Sequence, residues 1–184
     1  MMDKDFTIPI EIVIKAEKEN LSAIDNRKET FSLLDKLGGL KGDVLDIAER
    51  NYLTELLEQR YNIGIDSTTG DLDIEFICPQ KKYDFVYYSH VIEHQFNPLF
   101  TLLKIKKILK KNGILILACP VKPHWITWDK GHFHEFDLYR IHKLIERASY
   151  KIIEEKQFHY HKGFRGIRPI LGSFYPRLYL AILK

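Results

Sequence analysis

The run Ile114–Ala118 is apolar at every position, with Asn112 and Gly113 before it and Pro120 behind it. A strand that is apolar without alternation is covered on both faces, the condition of an inner strand in a parallel sheet. Parallel neighbours need crossover connections, and crossovers supply the helices that do the covering. The rest of the chain reads the same way. Val44, Leu45 and Ile47 form a compact strand, followed by Asn51 as an N-cap and a helical run with Leu53, Leu56 and Leu57 on one side. Further strands are expected at Asn62–Asp66, Phe85–Tyr88, Lys151–Glu155 and Leu178–Leu183. Ile8–Ile14 alternates like a short strand, and the burst Ile74–Ile77 is too short to assign.

Three more helices carry their own punctuation. Ser22–Leu37 is stopped by Gly38 and Gly39. Asn97 caps a helix with Pro98 at its first position, Leu99, Leu102, Leu103 and Leu109 facing inward, Lys104, Lys107 and Lys111 facing water, and Asn112-Gly113 as its end. Asp137 caps a helix with Leu138, Ile141, Leu144, Ile145 and Ala148 at helical spacing. The pattern predicts an α/β domain: a Rossmann-like, doubly wound, mostly parallel sheet with helices on both faces and a C-terminal antiparallel strand. A single domain over residues 1–184 is expected, with an extension (1–39), a core (40–155) and C-terminal strands (156–184) in which 163–176 is a candidate substrate flap.

Composition narrows the setting. The 184 residues carry 28 Lys+Arg against 25 Asp+Glu, too even a balance to call for a nucleic-acid partner. No apolar stretch is long enough for a transmembrane segment, and the first residues are charged where a secretory leader is apolar. Cys78 and Cys119 are not in a Cys-x-x-Cys arrangement, so no disulfide framework is indicated and a cytoplasmic location is expected.

Ligands of doubly wound sheets bind beyond the carboxyl ends of the strands. In this chain those positions are Asp46–Asn51, Asp66–Asp73, Ser89–His94 and Cys119–His134. A carboxylate at a strand end can accept two hydrogen bonds from a vicinal diol, which singles out Asp66. The ordered segments VLDIAERN (Val44–Asn51), GID (Gly64–Asp66), YDFVYYSHVIEH (Tyr83–His94), LKKNGILILACP (Leu109–Pro120) and HFHEFD (His132–Asp137) resemble the class I S-adenosylmethionine-dependent methyltransferases over about residues 40–155. The resemblance implies S-adenosylmethionine as cofactor, Asp66 on its ribose, and Asp46, Ala48, Glu49 and Asn51 with Ser89 and His90 in its shell. Ala48, Glu49, Arg50 and Asn51 stand where the family's turn is rich in glycine, so the cofactor loop is divergent and glycine-poor. Glu49 is placed to meet the cofactor's ammonium group unless Arg50 pairs with it. The interval Asp66–Asp84 is too short for a full helix and strand, so the adenine side is expected to be a loop, with Asp71 or Asp73 as the adenine contact.

His90, Glu93 and His94 form His-x-x-Glu-His, which on a helix puts all three on one face. This spacing matches an inverted zinc-protease signature. It also resembles a Glu-x-x-Glu-His metal site found in some methyltransferases, with His132 or His134 as a later ligand. A divalent metal held by His90, Glu93, His94 and His134 is therefore an alternative to no metal at all. If residues 132–134 are extended, His132 and His134 face one side and Phe133 the other. His94, His132 and His134 are the candidate proton acceptors. Trp125, Trp128, Tyr87 and Tyr88 are either acceptor-pocket or core residues. The function expected is methyl transfer from S-adenosylmethionine to an oxygen or nitrogen of a small or medium acceptor. The alternatives are a catalytically degenerate binding or scaffold module, and a metal-dependent hydrolase built on His90, Glu93 and His94.

Overall fold

The computed structural model describes residues 21–122, 131–159 and 177–184, and the side chains of 28–122, 131–158 and 178–184. In chain order it contains α1 (Leu21–Lys36), β1 (Val44–Asp46), α2 (Tyr52–Tyr61), β2 (Ile65–Ser67), β3 (Tyr83–Ser89), a single 3-10 turn (Ile92–His94), α3 (Pro98–Ile108), β4 (Leu109–Val121), α4 (Leu138–Arg147), β5 (Ile152–His159) and β6 (Arg177–Leu183). The strand order is β2-β1-β3-β4-β6-β5. The pairs β1–β2, β1–β3 and β3–β4 are parallel, and β6 runs antiparallel to both β4 and β5. This is the doubly wound, mostly parallel sheet expected, with an antiparallel C-terminal strand.

Two apolar clusters, one on each face, hold the layers together. Leu45, Val86, Tyr88, Leu115 and Leu117 meet Leu102 and Ile105 of α3 and Ile141 and Ile145 of α4. On the other face Val44, Ile65, Phe85 and Ile116 meet Leu33 and Leu34 of α1 and Leu57 of α2. Each fully buried aliphatic side chain of this kind contributes about 1.5–3 kcal/mol. The alternation of β1 and β3 between the two clusters is the pleat expressed as packing.

Helix starts follow the capping residues. The Asn97 side chain accepts from the Phe100 amide and Pro98 opens α3, while Asp137 Oδ1 accepts from the Arg140 amide at 2.8 Å. Gly38 and Gly39 close α1 in left-handed conformations (φ 84° and 76°).

Four sequence expectations need correction. Asn62 does not begin a strand: it takes the left-handed C-cap of α2 (φ 51°), and β2 starts at Ile65. The helix opened by Pro98 ends at Ile108, not at Asn112-Gly113, because Leu109 turns extended and pairs with Tyr83. Gly113 is needed within β4 instead, where a Cβ would meet the Tyr83 carbonyl oxygen at 2.8 Å. Leu103 is 42% exposed, and Ile105 fills the inward position. The expected strand Ile8–Ile14, Trp125, Trp128 and the segment 163–176 lie outside the described residues.

Candidate functional site

The chain order of the strands reverses direction on either side of β1: β2 lies on one flank and β3 on the other. That is the topological switch point, where the loops leaving adjacent strands part and open a crevice at their carboxyl ends. The loops are Ile47–Asn51 after β1 and His90–Gln95 after β3.

The first loop is built from beneath. Asp46 is 3% exposed, and its Oδ2 accepts from the Thr54 hydroxyl at 2.6 Å and from Asn51 Nδ2 at 3.3 Å. Asn51 Oδ1 in turn accepts from the Leu53 and Thr54 amides, and Thr54 Oγ1 accepts from the Asn51 amide. The result is a capping box with threonine in the returning position. Asp46 and Asn51 thus fix the loop and the start of α2. Ala48 is half-buried and Glu49 is exposed. Arg50 does not pair with Glu49: its guanidinium forks onto Glu58, the seventh residue of α2, with Nη1 and Oε1 3.1 Å apart and a second Nη2–Oε2 contact. The glycine-poor loop therefore keeps its largest side chain away from Glu49.

On the next strand Asp66 sits one residue before the end of β2, paired in register with Leu45. Its Oδ2 lies 2.7 Å from the Lys81 ammonium, which also reaches Asp43 at 3.2 Å. Ser67, beside Asp46 in register, has a buried hydroxyl with no hydrogen-bond partner among the described residues. The segment between Ser67 and Tyr83 is a loop with one antiparallel bridge, Thr69–Ile77, as the short interval required. Asp71 Oδ1 accepts from the Asp73 amide, closing a local turn. Asp73 is committed elsewhere: its two oxygens accept from the Phe96 and Asn97 amides at 2.8 and 2.9 Å, tying the loop to the start of α3.

After β3, Ser89 is half-buried and His90 takes a left-handed backbone (φ 55°) while its amide donates to the Ala118 carbonyl. His90, Glu93 and His94 do not lie on an α-helix. Pro98 opens α3 so soon afterwards that only the three-residue 3-10 turn fits, which removes the helix the hydrolase reading requires. Instead the Glu93 carboxylate, 1% exposed, sits between the two imidazoles, Oε1 at 3.5 Å from His90 Nδ1 and 4.0 Å from His94 Nε2.

The segment entering α4 docks on this turn. The Phe133 and His134 amides both donate to the Glu93 carbonyl, and Phe136 bridges to Val121. The chain bends at Phe133 and is not extended, so His132 and His134 part company. His132 stands edge-on to His94, ring centroids 4.8 Å apart. His134 turns to Phe136, with Nε2 3.4 Å from the Phe96 carbonyl oxygen. Phe133 stacks on Phe96 at 3.8 Å, both exposed. Tyr87 and Tyr88 are core residues, fully buried on opposite faces of β3.

Sequence reasoning named most of the loop residues but missed the ones that hold them: Thr54, Lys81, Glu58 and Glu135. Only Thr54 had a signal, its place three residues after an Asn cap.

A family model for a methyltransferase domain matches residues 15–159, so the chain belongs to the methyltransferase-domain family. Its fold class agrees with that membership. A search of the curated proteins finds no match. Among solved structures, the N-methyltransferase NodS of Bradyrhizobium japonicum WM9, in complex with S-adenosylhomocysteine, is 14% identical with a TM-score of 0.59, covering 90% of this chain and 88% of that one. Coclaurine N-methyltransferase bound to N-methylheliamine and S-adenosylhomocysteine is 10% identical with a TM-score of 0.62, covering 88% and 73%. The [4+2]-cyclase SpnF is also similar, 13% identical with a TM-score of 0.54, covering 79% and 76%. At these identities the likeness is one of fold, and the chemistry has to come from the site. Among the described residues no helix is long and apolar enough to cross a membrane.

Proposed function

We propose that this chain transfers a methyl group from S-adenosylmethionine to an oxygen or nitrogen of a small or medium acceptor, in the crevice at the carboxyl ends of β1, β2 and β3. The observation that carries the reading is the Arg50–Glu58 fork. It draws the one bulky basic side chain of the glycine-poor loop back along α2 and leaves Ala48 and Glu49 at the rim.

The Ser67 hydroxyl, buried and without a hydrogen-bond partner among the described residues, fits a nucleoside ligand that supplies one. Asp66 takes the ribose diol by exchanging the Lys81 ammonium for two hydroxyls. That exchange is cheap, because a half-exposed ion pair is worth only about 0–1 kcal/mol. Glu49 meets the amino-acid ammonium of the cofactor, Asp71 stands on the adenine side, and Ser89 and His90 flank the methionine part. Asp46 and Asn51 position this shell from below.

The sulfonium is already a strong electrophile, so the protein's work is alignment and removal of one proton from the acceptor. His94, His132 and His134, all on the loops leaving β3 and β4, are the proton-accepting group. The acceptor stands on that side of the crevice, where the Phe96–Phe133 stack offers an apolar lip.

The test is turnover. Incubation with S-adenosylmethionine and panels of small amines, phenols and alcohols, read as S-adenosylhomocysteine formed, is expected to give product with one panel. It is expected to give none in Asp66→Asn. Tight cofactor binding without turnover on any panel would favour a binding module.

A further inference from the structure

We infer that Glu93, His94 and His132 form a binding site for a divalent transition-metal ion of the zinc class. The geometry and burial of these three residues carry the inference independently of the methyl-transfer reading.

The Glu93 side chain is 1% exposed, and its Oε2 has no hydrogen-bond partner among the described residues. A buried carboxylate oxygen left without a donor is costly, and a bound cation is one of the few ways such a group is satisfied. One ligand atom from each of Glu93, His94 and His132 lies within 4.8 Å of the other two. Ligand atoms around one zinc ion stand about 3.3 Å apart, so closing the site takes a movement of about 1.5 Å or less at the rings.

The orientation of the imidazoles makes the case specific. His94 Nδ1 lies 2.8 Å from the Gly131 carbonyl oxygen. A carbonyl only accepts, so Nδ1 is the donor and Nε2, the atom facing Glu93, is the nitrogen left to ligate an ion. His132 Nδ1 lies 3.4 Å from Glu135 Oε1, and Lys122 holds the same carboxylate from its other oxygen at 3.0 Å. An imidazole held at one nitrogen by a carbonyl, as His94 is by Gly131, with the other nitrogen facing the carboxylate, is the arrangement that metal-binding histidines adopt. Two imidazoles and one carboxylate suit zinc, cobalt or iron better than magnesium or calcium, which prefer oxygen ligands alone.

Of the residues the sequence suggested, the structure groups Glu93 and His94 with His132. His90 has a left-handed backbone and its Nδ1 lies 3.5 Å from Oε1, and His134 faces the Phe96 carbonyl. Neither belongs to the three-residue group. With the ion bound, His94 and His132 act as ligands, and His134 is the remaining imidazole for a proton.

The test uses the full chain, tag removed and stripped with a chelator, titrated with Co²⁺ and followed by visible absorption. Wild type is expected to bind one equivalent with the intense bands of a low-symmetry nitrogen–oxygen site, and Zn²⁺ is expected to bleach them. His94→Ala, His132→Ala and Glu93→Gln should each abolish the bands, while His142→Ala, on the outer face beside Glu155, leaves them unchanged. Glu135→Gln, which removes the charge 3.4 Å from His132 Nδ1 and leaves all three ligands in place, should weaken the affinity by about 10-fold without abolishing the bands. Circular dichroism and S-adenosylhomocysteine binding, measured on each variant, separate a lost ion from a lost fold. Absence of the bands in folded wild type would overturn the inference, as would their persistence in both His94→Ala and His132→Ala.

Discussion

The Asp46 carboxylate and the Thr54 hydroxyl are 2.6 Å apart in the buried base of the loop between β1 and α2. This contact joins the end of β1 to the first turn of α2. It therefore sets where the loop between them stands relative to the crevice. Thr54→Val keeps the shape and deletes the donor to a buried carboxylate, a loss of about 1–3 kcal/mol in unfolding free energy. Thr54→Ser should restore most of it. Chemical denaturation measures the stability, and S-adenosylhomocysteine affinity measured in parallel should fall in the valine variant and recover in the serine one.

Lys81 Nζ stands 2.7 Å from Asp66 Oδ2, so under the proposed function it competes with the ligand for that carboxylate. Lys81→Met removes the competitor and leaves the carboxylate in place, so S-adenosylhomocysteine should bind about 2–5-fold more tightly, in keeping with an exposed ion pair of under about 1 kcal/mol. Calorimetric titration decides the sign. Weaker binding in this variant would mean that Lys81 serves the ligand directly.

Glu58 answers to pH through Arg50. Its carboxyl is held below the ordinary glutamate value of 4.5, first by the Arg50 hydrogen bond and then by the Ile65 amide, with burial opposing both. The folded form binds this proton less readily than the unfolded chain. The contribution to stability is thus present above 4.5 and lost as pH falls through the lower folded value. Glu58→Gln should remove that part of the acid dependence. It should also release a guanidinium toward the rim, so that affinity for the cationic S-adenosylmethionine drops more than affinity for S-adenosylhomocysteine. Thermal melts between pH 3 and 7, and paired titrations with the two ligands, read these outcomes.

His90 is strained at φ 55° where the chain leaves β3. A left-handed conformation costs an L-residue about 1–2 kcal/mol, part of which a glycine gives back through its floppier unfolded state. His90→Gly should therefore raise stability by up to about 1 kcal/mol while His90→Ala does not. Both should weaken cofactor binding if the ring flanks the methionine part. Melting temperature and titration together separate backbone from side chain.

Much of the architecture was legible because local signals and global packing agreed. Asn51, Asn97 and Asp137 cap the helices that follow them, and the unbroken apolar run Ile114–Ala118 lies inside the sheet. The misreadings share a cause. Leu109, Lys110 and Lys111 continue a helical rhythm, and only the pairing of Leu109 with Tyr83 turns them into strand. The strand-end positions were visible as a set, but their partners were not. Lys81 meets Asp66 across a loop, and Gly131 meets His94 from 37 residues away. The spacing His-x-x-Glu-His suggested a helical face. The proline that starts α3 left room for a 3-10 turn alone, and this put a buried carboxylate between two rings.

Isothermal calorimetry of the wild type and of Asp66→Asn with S-adenosylhomocysteine bears most directly on whether an adenosyl group binds at this sheet edge. Saturable one-to-one binding in about the micromolar range, near 8 kcal/mol, is expected for the wild type, and at least about tenfold weaker binding for the variant. No measurable binding by folded wild type, or equal affinity in both proteins, would contradict the account.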